Sequence, residues 1–463
     1  MMRLALELEV RTLLRSPARL ALLALFWAAG VAAIVLGRAE TAVWRAAVQA
    51  GEERESEAIA EARGLLAAGE TGPADQPWVD LRQPFWVDRL AGTRLARLPS
   101  PLAGIAHASP EEGVLVTHVH RSADPLVEQG SRLRNPELVA LGGLDLVMVL
   151  TLLLPALILA LGAGIGGFER ATGVLSLIRT QSGRDTSWLV ARAAAAGLVG
   201  TAAGVLLALG AALSGGADVL STAWFLALVT AYGAVWTALV ALVATRARHP
   251  SHGAVLLGAT WIVLCALVPA IGRDRAAAEA ADDFGVELSL AARDRMDEIH
   301  DGGAESLRDS VAARFPGPFE SIDGAEDRPV ADRHLFDGQR VLEMERRQGA
   351  RDVRERRQAI LVSGASVLSP AVAFAHALER LAGRDAGSAA RFRDAVVGAV
   401  ADRVAWLLAA SRREPLAARD FEELLAAGPA DVEPERVQPW WGFLLLTAWS
   451  LSIAAIVRVS TRK

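Results

Sequence analysis

Lysine is all but missing from these 463 residues: of 48 basic side chains, Lys463 is the one that is not arginine. A phosphate-binding loop of the form G-x-x-x-x-G-K-[ST] therefore cannot be written anywhere in the chain, which excludes ATP hydrolysis by that route, and a single lysine at the last position argues against Schiff-base lysine chemistry. Cysteine is as scarce. Cys265 stands alone in an apolar run, so neither a disulfide framework nor a cysteine zinc site can form within the chain. Net charge is −5, and no Lys/Arg cluster interleaved with aromatics occurs, which sets nucleic acid aside as a partner.

What is abundant is apolar sequence, at 52% of residues, alternating with strongly charged stretches. Six runs are long enough to cross a bilayer core of about 30 Å as helices: Leu20 to Gly37, the residues after Asp145 to Phe168, those after Arg192 to Ala217, Val219 to Thr245, Gly253 to Gly272, and Val437 to Val457. Once the boundary residues Asp145, Arg192 and Asp218 are set aside, no Asp, Glu, Lys, Arg or His lies inside them. Proton- and ion-coupled carriers keep such groups at membrane depth, so their absence argues against a proton-driven carrier, a charged pore or an intramembrane protease. Arg38 and Glu40 follow the first run in helix-forming sequence with no small-x-small cleavage site, which reads as an uncleaved anchor.

Basic residues at the ends of spans set topology. An inward N-terminus collects Arg3, Arg11, Arg15 and Arg19, then Arg170, Arg179 and Arg184, then Arg246 and Arg248, then Arg458, Arg462 and Lys463, on the cytoplasmic side. Residues 38–143 and 273–436 are then two large extracytoplasmic segments. In the first, Trp44 to Ala67 reads as a helix continuing out of the membrane, and Glu112 to His120 as a strand. In the second, helices are expected near Glu287–His300, Gln339–Ala365, Ser388–Ser411 and Pro415–Ala427, with breaks at Phe315-Pro-Gly-Pro and Ser369-Pro370. The fold class expected is mainly α: a polytopic membrane protein with six transmembrane helices and two outer segments, mostly helical with some β in the first. Gly162-x-Gly-x-Gly166 and Gly200-x-x-x-Gly204 put small residues on helix faces where backbones can approach, and Trp224, Trp440 and Trp441 suit the outer interface. His118 and His120 alternate on the expected strand, but no cysteine or methionine cluster joins them, and no metal is expected.

The most distinctive stretch follows the second span: Phe168-Glu-Arg-Ala-Thr-Gly-Val-Leu-Ser-Leu-Ile-Arg-Thr-Gln-Ser-Gly-Arg184. It resembles the E-R-E-x-G-T-L segment, with a later S-R and G-K, that ABC-2-type transporter permeases carry between their second and third helices. Glu169, Arg170, Gly173, Leu175 and Arg184 match position by position; Ala171, Val174 and Ala191-Arg192 depart from the pattern. The layout of one helix, a long outer loop, four clustered helices, a second long loop and a final helix is similar to the subfamily known as permease components of multi-copper enzyme maturation systems. Ser369-Pro370, Leu381-Ala382-Gly383-Arg384-Asp385 and Phe392 match short motifs of its second loop. The resemblance implies a non-enzymatic permease subunit in a bacterial cytoplasmic membrane, with no cofactor of its own. It also implies a separate ATP-binding subunit docked on Glu169 to Arg184, and a second permease copy or paralogue. The size of the outer segments leaves open a second class, an ATPase-coupled mechanical or scaffold protein that acts on an extracytoplasmic partner without transport.

Overall fold

The computed structural model describes residues 2–461, except 91–92, 108–115, 122, 124–142, 184, 281–289, 291–292, 295–296, 298–307, 317–334, 411–414, 427 and 436. Six helices are long and apolar enough to cross a membrane, and with few strands beside them they make a mainly α, polytopic membrane protein. Six crossings return the chain to the side on which it started. The side bearing both chain ends is called here the near side, and the opposite one the far side.

An amphipathic helix, α1 (Met2–Arg15), lies ahead of the first span. Ser16 caps the next helix by accepting from the Arg19 amide, and Pro17 opens it, the pairing that favours a helix start. That helix, α2 (Pro17–Ala68), crosses the membrane and continues for some 30 residues beyond it, as the unbroken helix-forming sequence after Gly37 suggests, and ends on Gly69 at φ +74°. On the far side follow α3 (Pro84–Leu90) and two short strands, β1 (Thr93–Ala96) and β2 (Val116–Val119), paired antiparallel with Arg94 opposite His118. The expected strand at 112–120 is thus met at its C-terminal half, its start lying outside the described residues.

The second span begins with a helical turn, Leu146–Met148, passes through a wide π turn, Val149–Leu153, and continues as α4 (Leu154–Gly162). On the near side come α5 (Gly167–Ala171) and α6 (Val174–Ser182). The spans α7 (Asp185–Gly215) and α8 (Val219–Arg246) follow, then α9 (Pro250–Ile262), a second π turn at Val263–Leu267, and α10 (Val268–Ala280). The far side adds α11 (Leu335–Leu368), α12 (Pro370–Ala382), α13 (Ala386–Ala410) and α14 (Ala418–Ala426) before the last span, α15 (Trp440–Thr461). The helix expected at 287–300 lies almost wholly outside the described residues.

The small-residue faces are used within the chain. A Cβ on Gly200 would fall 2.6 Å from Ile158, and on Gly162 2.4 Å from Val240, so both glycines let neighbouring spans close up. Around them Phe225, Tyr232, Trp236, Leu154 and Ile158 form the buried centre of the bundle.

The described residues of the two far-side segments pack together. Leu95 and Val119 of the strands share a core with Phe392, Val396 and Val400 of α13, and Ala62 of α2 shares another with Phe421 and Leu424 of α14. Arg94 reaches Asp431 at 3.0 Å and Glu55 at 3.4 Å, tying the first segment to the second.

One part of that second segment returns into the bundle. Ser369-Pro370 is a tip, not a simple break: Ser369 is fully buried and caps α12 by accepting from the Ala371 and Val372 amides, with Pro370 at the first helical position. The Phe374 ring stacks on Tyr232 of α8 at 4.1 Å, and the Trp449 indole of α15 donates to the Val367 carbonyl at 3.2 Å. Tyr232 and Trp449 lie eight and nine residues beyond Trp224 and Trp440, two rings in edge contact at 4.4 Å at the far end of the bundle. At 1.5 Å per residue the tip is about 12 Å deeper than that pair, close to the middle of a core about 30 Å thick. The end of α11 and the whole of α12 thus form a helical hairpin inserted among the spans.

The hairpin tip lies level with the two π turns, where backbone groups have no water to fall back on. In the second turn Val268 N–H reaches back to Val263; the next donor would be Pro269, which has none, and the Ser369 hydroxyl supplies the missing bond to Leu264 O at 2.5 Å. In the first, Pro155 likewise has no amide to give just after Leu154 N–H reaches back to Val149, and here the buried Tyr232 hydroxyl donates to Thr151 O at 2.7 Å and the Trp261 indole to Leu152 O at 3.1 Å. Tyr232→Phe keeps the ring stack and removes this donor. It is expected to lower stability by about 1–3 kcal/mol, the cost of an orphaned buried carbonyl, read as a fall in the thermal unfolding midpoint in detergent.

Candidate functional site

The near-side segment that the sequence singled out is an elbow, α5 and α6, joined at Gly173. Two glycines make the corners. Gly166 has φ +85° and a Cβ there would lie 2.0 Å from the Ala244 carbonyl; Gly173 sits at φ +76°, where a side chain would strain the backbone.

Glu169 and Arg170 point into the protein. Glu169 is 2% exposed; it accepts from the Gly166 amide at 2.6 Å, closing the first turn of α5, and pairs with Arg192 at the start of the third span. The same guanidinium reaches Glu9 of α1, with Nε at 2.8 Å from the carboxylate, and Arg19 of α2 approaches Glu9 at 3.4 Å. Two buried carboxylates and two arginines thus lock α1, α2, α5 and α7 together. Arg170 donates to the carbonyls of Ala244 at 2.9 Å, Thr245 at 2.8 Å and Ala247 at 2.5 Å, the orphan acceptors at the C-terminus of α8, where a cation also meets the negative end of the helix dipole. Leu175 is buried against the bundle core. Arg184 lies outside the described residues.

The outward face is made by other residues. Phe168, Val174 and Leu177 are 58%, 41% and 55% exposed, with Ser176, Thr180 and Gln181 exposed beside them and Arg179 held to Asp185 at 2.6 Å. Three exposed apolar side chains, on an elbow braced at four helix ends, form a partly apolar exposed surface on the near side. Sequence matching picked out Glu169, Arg170 and Leu175, the residues that hold the elbow; Leu177, expected with Leu175 to hold the segment at the interface, is instead exposed beside Phe168 and Val174, which no matched position marked. It gave no hint that Glu9 and Arg19, from distant positions, would join Glu169, and Arg192 had appeared only as a span boundary and a departure from pattern.

A second polar knot stands at the far end of the first span. Glu40 of α2 accepts from His107 Nδ1 at 2.7 Å and pairs with Arg384, just after the C-cap of α12, at 3.3 Å. Arg384 also donates to Ala103 O and lies over the Trp44 ring at 4.9 Å; the Trp44 indole donates to Arg97 O. Asp145 accepts from the His107 amide at 3.0 Å and caps the second span through Met148 N–H. The knot thereby ties the hairpin to the first and second spans. The Glu40 carboxylate raises the His107 pKa above its usual 6.5, and burial raises that of Asp145.

Elsewhere on the far side, Phe85, Asp88, Arg89, His120 and Arg121 line an open cleft of about 450 Å³, with the Arg121 guanidinium over the Phe85 ring at 4.4 Å. His118 is exposed. Among the described residues no group of three or more His, Cys, Asp or Glu side chains is placed to hold a metal ion.

The fold and the apolar helices define the class, a mainly α, multi-pass membrane protein. No protein family, curated protein or solved structure matches the chain.

Two outcomes are expected. Arg192→Gln leaves Glu169 buried without its cation and should cost about 3–5 kcal/mol in unfolding experiments, whereas Leu177→Glu, on the exposed face, should stay within about 0.5 kcal/mol of the parent. The His107 contribution has the opposite sign to a carboxylate's: with its folded pKa raised, the stabilisation is complete below pH 6.5 and is lost as pH rises through the folded value. The unfolding midpoint should therefore fall across that window, and His107→Gln should flatten the fall.

Proposed function

We propose that the chain is the membrane-spanning permease subunit of an ATP-driven ABC-2-type transporter, which exports its substrate. It would sit in a bacterial cytoplasmic membrane with the near side facing the cytoplasm, paired with a second copy or a paralogue and driven by separate ATPase subunits. The observation that carries the reading is the α5–α6 elbow. Its sequence resembles the ATPase-docking segment of that family, it offers Phe168, Val174 and Leu177 outward, and Glu169 and Arg170 couple it to α1 and to the ends of the first, third and fourth spans. A push on such an elbow moves helices rather than a loop.

Two further features support it. Arg11, Arg15, Arg179, Arg246, Arg248 and Arg458 all belong to the near side, as expected for a cytoplasmic face. The chain has no phosphate-binding lysine loop, so an energy source must be a partner. The far-side body, rooted in the bundle through its inserted hairpin, favours as a second reading an ATPase-coupled mechanical protein that works on an extracytoplasmic partner without moving a substrate.

The test is a mild-detergent purification of the tagged full chain from its native host, with ATPase assay of the eluate. An ATPase subunit should accompany the parent protein and be lost with Val174→Glu plus Leu177→Glu, while the unfolding midpoint of that variant is unchanged. Absence of any ATPase from the parent under several extraction conditions would remove the energy source and sink both readings.

A further inference from the structure

The hairpin carries a feature that neither its packing nor an ATPase-driven function accounts for. One face of α11 is bare: Val353, Ile360 and Val367 recur every seven residues, two helical turns apart, and are 54%, 71% and 51% exposed, with Leu368 at 64% beside them. From Gln358 to Ser369 there is no charged residue. Immediately outward come Arg356 and Arg357, both exposed, with Arg356 in the field of Asp352 one turn further out, while Arg351 is engaged with Glu355 and Arg346 with Glu343.

Height explains the change. The tip at Val367 lies about 12 Å inside the level of Trp224 and Trp440, and Arg357 and Arg356 are ten and eleven residues further up the helix, about 15–16 Å. They therefore emerge a few ångströms beyond the tryptophan level, where lipid phosphates lie, while Ile360, Val367 and Leu368 remain below it. The neighbouring α10, packed on α11 where Gly272 meets Ala365, leaves its own uncharged stretch at Gly272, seven residues or about 10 Å deeper than Gln358, and Asp274 and Arg275 are exposed there.

We propose that this face of α11 lies against the far leaflet, with Arg356 and Arg357 seated on the phosphates of anionic phospholipid headgroups and Ile360, Val367 and Leu368 against the acyl chains. Two arginines at phosphate height suit that partner in charge and in hydrogen-bond geometry. A second copy of the chain suits it less: a two-fold axis along the membrane normal would set each Arg356 and Arg357 opposite its own counterpart, like charge against like. The anchor fixes how deep the hairpin sits, and so keeps Ser369 and Phe374 in register with Leu264 and Tyr232.

The experiment reconstitutes the full chain in nanodiscs of phosphatidylcholine, with and without phosphatidylglycerol, and follows the thermal unfolding midpoint. Phosphatidylglycerol should raise the midpoint of the parent and of Arg346→Gln, which lies ten residues further out, but not that of Arg356→Gln plus Arg357→Gln. An unchanged midpoint of the double variant in phosphatidylcholine alone reports that it is folded. Inorganic phosphate added to phosphatidylcholine discs should do nothing; if it reproduces the gain, the site takes a free anion and the lipid assignment fails. In parallel, Ile360→Cys labelled with a fluorophore should be quenched by bromine-labelled acyl chains, and the same variant left unlabelled should not form disulfide-linked dimers on oxidation. Cross-linked dimers, absence of quenching, or a phosphatidylglycerol gain that survives in the double variant would overturn the proposal.

Discussion

Every backbone carbonyl that a broken helix exposes inside a bilayer needs a donor from within the protein, and much of this bundle is arranged around that requirement. Pro155 and Pro269 each follow a π turn, one in the second span and one in the fifth, and the two turns lie side by side. The donors that repair them, Tyr232, Trp261 and Ser369, come from three different elements. Because one of the three sits on a hairpin from the far-side body, that body cannot lift away without unmaking a bond at mid-membrane depth. The Phe374–Tyr232 stack and the Trp449–Val367 bond reinforce the same joint.

The ends of the bundle are held by charge instead of by repaired carbonyls. On the near side Arg192 bridges Glu9 and Glu169, and Arg170 covers the last carbonyls of the fourth span. On the far side Glu40 gathers His107 and Arg384. Buried ion pairs of this kind add little net stability, but breaking one strands a charge, which favours a defined geometry over a range of similar ones.

Much of the architecture was legible in residue order. The six spans, the continuation of the first helix past Gly37, and the helices of 335–368, 386–410 and 418–426 follow from apolar run length and helical periodicity, local properties that neighbouring residues decide. The near-side elbow was legible as a motif, yet the roles within it were not. Glu169 and Arg170 look like surface contacts in a string of polar residues, and only the approach of Arg192 and of the α8 terminus turns them inward. The inserted hairpin was hidden for a similar reason. Ala359 to Leu368 is too short an apolar run to announce a span, and Ser369-Pro370 reads as a break between two outer helices.

By itself, then, the sequence determined that this is a six-span helical membrane protein with an uncharged bundle and no nucleotide-hydrolysing loop of its own. It could do so because hydrophobic length and the presence or absence of a residue type are written in consecutive positions. The tertiary structure alone decided which carboxylates are buried, that the two far-side segments pack together through shared cores, and that α12 sits among the spans. Those outcomes depend on contacts between residues as distant as Glu40 and Arg384 or Leu264 and Ser369, whose energies arise from shape and hydrogen-bond geometry that no local pattern encodes.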